Sequence, residues 1–134
     1  MPQFIAIVAV ILLGLILILQ VLLAAGFPLG HCAWRGQYRV LPAALRWASL
    51  AAAGVLGLAA WVVLARAGLV APGADPAVVS VATWVFVGFF GLNTVGNLAS
   101  RSAAERLVMT PVTALLTGCF IAIAVSPLAT LAPR

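Results

Sequence analysis

The chain has 134 residues, 66% of them hydrophobic and 7% charged, with a formal net charge of +5 and a mean hydropathy of +1.27. A water-soluble domain of that composition would expose large contiguous apolar patches, so the balance excludes one and points to an integral membrane protein. Positive charge in such a chain reports orientation and attraction to anionic lipid, and its arginines lack the basic and aromatic pattern of nucleic-acid binders, so the expected partners are membrane lipids and no nucleic acid.

A spanning helix takes roughly 20 mainly apolar residues, and four such runs fill most of the chain, about Phe4 to Ala24, Leu45 to Ala65, Val78 to Leu98 and Thr110 to Leu128. The fold class expected is all-α, an integral membrane four-helix bundle with a structured first loop and a kinked fourth helix. It forms a single transmembrane domain over residues 1–134, with helices at about 4–24, 45–65, 78–98 and 103–128. The first run is longer than the roughly 7–15 apolar residues of a secretory signal, which predicts a retained helix. Gln20, its one late polar residue, is expected at the interface or bonded to a neighbouring helix.

The first loop, GFPLGHCAWRGQYRVLP from Gly26 to Pro42, is too apolar for a simple turn and is expected to pack back on the bundle. Trp34, Arg35, Tyr38 and Arg39 set two guanidinium groups beside two aromatic rings. That grouping suits lipid phosphates or a bound anion, and equally suits an interfacial belt with solvated arginines. His31 is the only histidine and has no second ligand-type neighbour, so no metal site is expected. Cys32 and Cys119 lie in different segments without a CxxC spacing, which predicts neither a disulfide nor a redox centre.

Pro42 fits the first position of the second helix, and Arg46, one turn in, can snorkel. Ser49, Ala53 and Gly57 recur at the small-xxx-small spacing that allows close helix approach, as do Ala114, Gly118, Ala122 and Ser126 in the fourth helix. The spacing leaves open whether these stripes meet within one chain or between two. A Gly- and Pro-rich turn after Arg66 leads to the third helix.

Most polar residues close to hydrocarbon fall in FGLNTVGNLASRSAAERLVMTP, from Phe90 to Pro111. Asn93 and Asn97, one helical turn apart, share a face. They act either as interhelical glue, worth about 0.6 kcal/mol on average, or as the lining of a polar cavity. A hydroxyl stripe of Thr110, Thr113 and Thr117 could either satisfy its own backbone near Pro111 or face them. Ser100, Arg101, Ser102 and Arg106 follow in a tight basic turn, and Ser102-Ala103-Ala104-Glu105 fits a capping box that restarts a helix at Ser102. Pro111 crowds the carbonyl of Leu107 and should kink that helix.

With four spans, the first and third loops share a side that carries Arg35, Arg39, Arg46, Arg101 and Arg106, against Arg66 and Arg134 opposite. The positive-inside rule puts that side in the cytoplasm and both termini outside it. The segments GFPLG, WRGQYRVLPAALRWAS and NLASRSAAERLVMTPV resemble an uncharacterised family of small bacterial four-helix integral membrane proteins, and the likeness runs over most of the chain. It implies a multi-pass protein of the bacterial inner (plasma) membrane and no particular chemistry.

Neither a nucleophile with a base nor paired carboxylates nor a ligand cluster is present, so no enzyme, catalytic residue or cofactor is expected. Both carboxylates fall outside the apolar runs, which argues against proton or cation coupling. The leading expectation is a transport, permeation or lipid/anion-binding module with a polar cytosol-facing pocket. Its candidate ligand-binding residues are Trp34, Arg35, Tyr38, Arg39, Asn93, Asn97, Ser100, Arg101, Ser102 and Arg106, and its ligand is a small anion or lipid headgroup. The alternative is a structural or accessory subunit that self-associates or assembles with other membrane proteins, as in a homo-oligomer joined through the Ser49, Ala53, Gly57 stripe.

Overall fold

A computed structural model describes residues 2–127. Arg134, which enters the charge asymmetry, and Leu128, the expected end of the last helix, lie outside the described residues. Four helical spans, each long and apolar enough to cross a membrane, form an all-α bundle. They are α1 (Pro2–Ala25), α2 (Ala43–Arg66), α3 (Pro76–Leu98) and a fourth that opens with a π-helical segment (Glu105–Met109) and continues as α4 (Thr110–Val125). Polarity is distributed as lipid demands: Phe4, Leu15, Trp47, Leu58, Val81 and Leu92 are exposed, while Ser49, Arg66, Thr83, Glu105 and Thr113 are buried.

The bounds differ from the expected ones for local reasons. Pro42 is the N-cap of α2 rather than its first residue. The third helix begins at Pro76, two residues early, because Asp75 caps it by accepting from the amides of Ala77 (2.8 Å) and Val78 (3.3 Å). The fourth ends at Val125, where Ser126 turns extended (ψ 145°) ahead of Pro127, as the residue before a proline prefers.

Packing is most extensive between α1 and α2 and between α3 and α4, with lesser contact between α1 and α4 and between α2 and α3. The α2 stripe serves the first pair, since Ser49 and Ala53 are buried and Gly57 faces Leu17 of α1. That stripe therefore packs inward within the chain. In α4, by contrast, Ala114 and Gly118 face outward. Rings of Phe86, Phe90 and Phe120 close the centre, Phe90 and Phe120 lying 5.2 Å apart.

At the far end, opposite the first loop, Arg66 is buried and its Nη2 donates to the carbonyls of Ala124 (3.0 Å) and Ser126 (2.9 Å). A cation at a helix C-terminus satisfies carbonyls left without amide partners, so the end of α2 is pinned to the end of α4. At the near end, the Nε of Arg46 donates to the carbonyl of Ala24, 2.8 Å away. Arg46 thus closes α1 instead of only reaching for solvent.

The first loop, residues 26–42, folds back as expected. Leu41 and Ala33 are buried against Leu23, and the amide of Gly30 donates to the carbonyl of Arg39 at 3.0 Å. Gly30 leaves no room for a side chain, because a Cβ there would overlap the Tyr38 carbonyl and sit 2.9 Å from the Arg39 oxygen. Gly30→Ala should cost about 1–3 kcal/mol, the range for overpacking a tight site, and lower the thermal midpoint in mild detergent. Gly14→Ala, where the added carbon meets nothing within 4 Å, should leave the midpoint unchanged; equal midpoints for both variants would show that the loop does not pack as described.

Candidate functional site

The turn after α3 is tied to the first loop by hydroxyl groups. Ser102 donates its hydroxyl proton to the carbonyl of His31, 71 residues away in sequence. Only half of the expected capping box forms. The Glu105 amide donates to Ser102 Oγ at a long 3.4 Å, but the Glu105 carboxylate does not return to the Ser102 amide. That amide donates to Ser100 Oγ (3.1 Å), and the Ser100 hydroxyl donates to Glu105 Oε2.

The reason lies in the helix that follows. Residues 105–109 are π-helical, and the amide of Thr110 donates to the carbonyl of Glu105, five residues back. The wider turn accommodates Pro111, which has no amide proton to give. The expected kink is thus a π turn, and Glu105 is buried at its start. Glu105 also opens the fourth span, Glu105–Val125, which corrects the expectation that both acids lie outside the spans.

Between α2 and α3, at the first-loop end, lies a cavity of about 380 Å³. Its roof is Cys32, Ala33 and Trp34 of the loop, its back Ile16 and Gln20 of α1, and its deep end Leu56 and Phe90. Asn97, Glu105, Met109 and Thr113 complete the α3 and α4 walls. Ala51 and Val55 of α2 and Phe89 and Asn93 of α3, which also line it, are themselves exposed, so the cavity opens sideways between these helices. A more open hollow of about 420 Å³ adjoins it, shares Trp34, Phe89, Asn93, Asn97 and Glu105, and adds Arg35 and Leu92. At 1.5 Å per residue, Phe90 lies roughly 12 Å below the end of α3, close to the middle of a hydrocarbon core about 30 Å thick.

Trp34 is held over this space by its indole N–H, which donates to the buried Ser49 Oγ at 2.9 Å. Trp34, Arg35 and Gly36 have successive φ values of 52°, 63° and 67°. Left-handed backbone at a residue other than glycine costs on the order of 1–3 kcal/mol, and here it lets the chain reverse with the indole inward and Arg35 exposed. Gly36 allows the same reversal to pass close to Ser102, whose Cβ would be 2.9 Å from any added Cβ.

The expected site residues divide into two groups. Trp34, Asn93 and Asn97 line the cavity, with Arg35 on the outer hollow. Asn97 Nδ2 donates to Thr113 Oγ1 (3.2 Å), whereas Asn93 Nδ2 bonds the carbonyl of Phe89 in its own helix (2.8 Å); of the threonine stripe only Thr113 meets an amide, and Thr113 and Thr117 also donate to carbonyls of their own helix, Met109 (2.9 Å) and Thr113 (2.8 Å). The remaining six line neither space. Ser100 and Ser102 build the turn, and Arg106 Nη1 closes it on the Ser100 carbonyl at 2.9 Å. Tyr38, Arg39 and Arg101 are exposed, and Arg39 contributes its carbonyl to the loop fold.

Glu105, Gln20 and Cys32 enter the site without having been expected there. Gln20 Oε1 is buried with no hydrogen-bond partner among the described residues. No group of three or more His, Cys, Asp or Glu side chains suited to a metal is found among the described residues, and both cysteines are free. Comparison with protein-family models, curated proteins and solved structures finds no match.

Burial pushes the Cys32 thiol above its ordinary pKa, and the negative charge of Glu105 adds to the rise. In a Cys119→Ala background, the pH midpoint for alkylation of Cys32 should lie above that of a free thiol. Glu105→Gln should lower the midpoint only in part, because burial is the larger cause and persists. A midpoint unmoved by Glu105→Gln would separate the two side chains.

Proposed function

We propose that this multi-pass membrane protein binds a membrane amphiphile, entering sideways between α2 and α3, as a lipid-binding or lipid-moving module. The observation that carries the reading is the gradient along one cavity. Its first-loop end presents Trp34, Asn93, Asn97 and Glu105, and its deep end presents Ile16, Leu56 and Phe90. A headgroup and an acyl chain have the same gradient, and an apolar pocket with a few placed polar groups is the usual form of a small-molecule site. In this reading the side bearing Arg35, Arg39, Arg46, Arg101 and Arg106 faces the cytoplasm of a bacterial inner membrane, supported by the arginine asymmetry and by the family resemblance. Arg39, Arg101 and Arg106 then attract the anionic leaflet and do not touch the ligand.

A second reading, a self-associating or accessory subunit, draws support from the outward Ala114 and Gly118 of α4, small residues on which another helix could pack closely. The two readings use different faces.

Native mass spectrometry after release from lipid nanodiscs tests the first. Val55→Trp fills the cavity mouth and should reduce retained lipid roughly tenfold, equivalent to about 1.4 kcal/mol. Leu58→Trp, on the exposed face that lines neither space, should leave it unchanged. Equal retention by both variants would reject the cavity as the binding site.

A further inference from the structure

We infer that the headgroup received by this cavity is cationic at its inner end, an ammonium group that meets Glu105, and is not an anion. The inference rests on the amphiphile-binding reading and deepens it. Seven arginines and two carboxylates make the chain basic, yet the charge that lines the inner cavity is the carboxylate of Glu105. Glu105 is 9% exposed, and Ser100 donates to one of its oxygens. Its neighbour Arg106 donates to the Ser100 carbonyl, and the guanidinium groups of Arg46 and Arg66 are engaged with helix-end carbonyls elsewhere. Among the described residues no arginine bonds Glu105.

The other groups on the wall suit the same ligand. Gln20 adds a buried oxygen without a donor, and the Nδ2 atoms of Asn97 and Asn93 are already directed at Thr113 and Phe89, which leaves their carbonyl oxygens as acceptors. Each amide keeps a second N–H, but the charge on this wall is negative and the Gln20 oxygen has no donor, which suits a guest rich in donors, and an ammonium group brings up to three N–H donors. Trp34, Phe89 and Phe90 add aromatic surface on the same cavity, which favours cations as well. Arg35 lines the outer hollow that Glu105 also lines. A zwitterionic phospholipid headgroup therefore fits end to end, with ammonium inward at Glu105 and phosphate outward at Arg35. A free long-chain alkylammonium ion shares the ammonium chemistry without needing Arg35.

The test uses the full chain in nanodiscs of equal parts ethanolamine-headed and glycerol-headed phospholipid, with the bound lipid identified after release. Wild type should retain the ethanolamine lipid in preference by roughly fivefold, the scale of one charge-assisted hydrogen bond over a neutral one. Glu105→Gln should bring the ratio close to one while total retained lipid stays within about twofold. Should Glu105→Gln fail to fold, Gln20→Leu leaves the Ser100–Glu105 contact in place and should lower the ratio in the same direction. Arg35→Gln distinguishes the two sources. It should weaken retention of the ethanolamine lipid and leave dodecylammonium binding unchanged, if the phosphate is part of what is recognised; weakening of neither ligand would assign the site to the simple cation. A wild-type preference for the glycerol-headed lipid, or a preference that survives both Glu105→Gln and Gln20→Leu, overturns the ammonium assignment while leaving lipid binding intact. Absence of retained lipid in wild type removes the amphiphile reading and this inference together.

Discussion

Ser102 holds the two irregular segments of the bundle together, and the cavity depends on that tie. Its hydroxyl reaches the carbonyl of His31, and its amide and carbonyl order the turn around Ser100 and Arg106. In hydrocarbon a loop survives only where its backbone groups are satisfied by protein. The first loop meets that condition by lying on the α3 to α4 turn and by anchoring Trp34 on Ser49. With the loop fixed there, the space below it is roofed at the interface and open at the side. The exposed lining residues Ala51, Val55, Phe89 and Asn93 mark that opening between α2 and α3.

The π segment is the second determinant. A proline early in a helix removes one amide, and the chain responds by shifting to an i to i−5 bond between Thr110 and Glu105. The wider turn places a carboxylate on the cavity wall at the membrane boundary, where an acid in a regular capping box would have folded back on its own helix. π turns are rare and concentrate at functional sites. Here the local sequence conflict and the unusual charge fall at the same residue. The left-handed pair Trp34 and Arg35 repeats the pattern at the roof, since backbone strain persists only where surrounding contacts over-determine it.

The four spans were legible because length and hydropathy decide them, and the approach of the first loop to the third turn followed from topology alone. Helix starts were off by two residues where capping chemistry set them, at Asp75 above all. Asn97 and its partner Thr113 could be read from helical spacing. Glu105 could not, because Ser102-Ala103-Ala104-Glu105 matches a capping box so well that the glutamate looked already engaged. The competing acceptor for the Ser102 amide was Ser100 Oγ, two residues back, and nothing in the spacing ranks it above the carboxylate. Arg66 was similarly opaque: a terminal arginine reads as solvated until the end of another helix is known to lie beside it. Arginines clustered in sequence suggested an anion site, whereas Arg46 and Arg106 bond backbone carbonyls and Arg39 and Arg101 are exposed away from the cavity.

The most direct measurement is photocrosslinking in a native-like bilayer from a benzophenone side chain at position 55, on the lip between α2 and α3, compared with position 58 on the lipid-facing side. Occupancy of the cavity by an amphiphile predicts that position 55 yields a covalent lipid adduct well above the level at position 58, enriched in ammonium-headed lipid. A covalent dimer from position 55, or adducts equal in amount and composition at the two positions, would contradict it, because the opening would then be a helix-packing surface or ordinary lipid-facing wall.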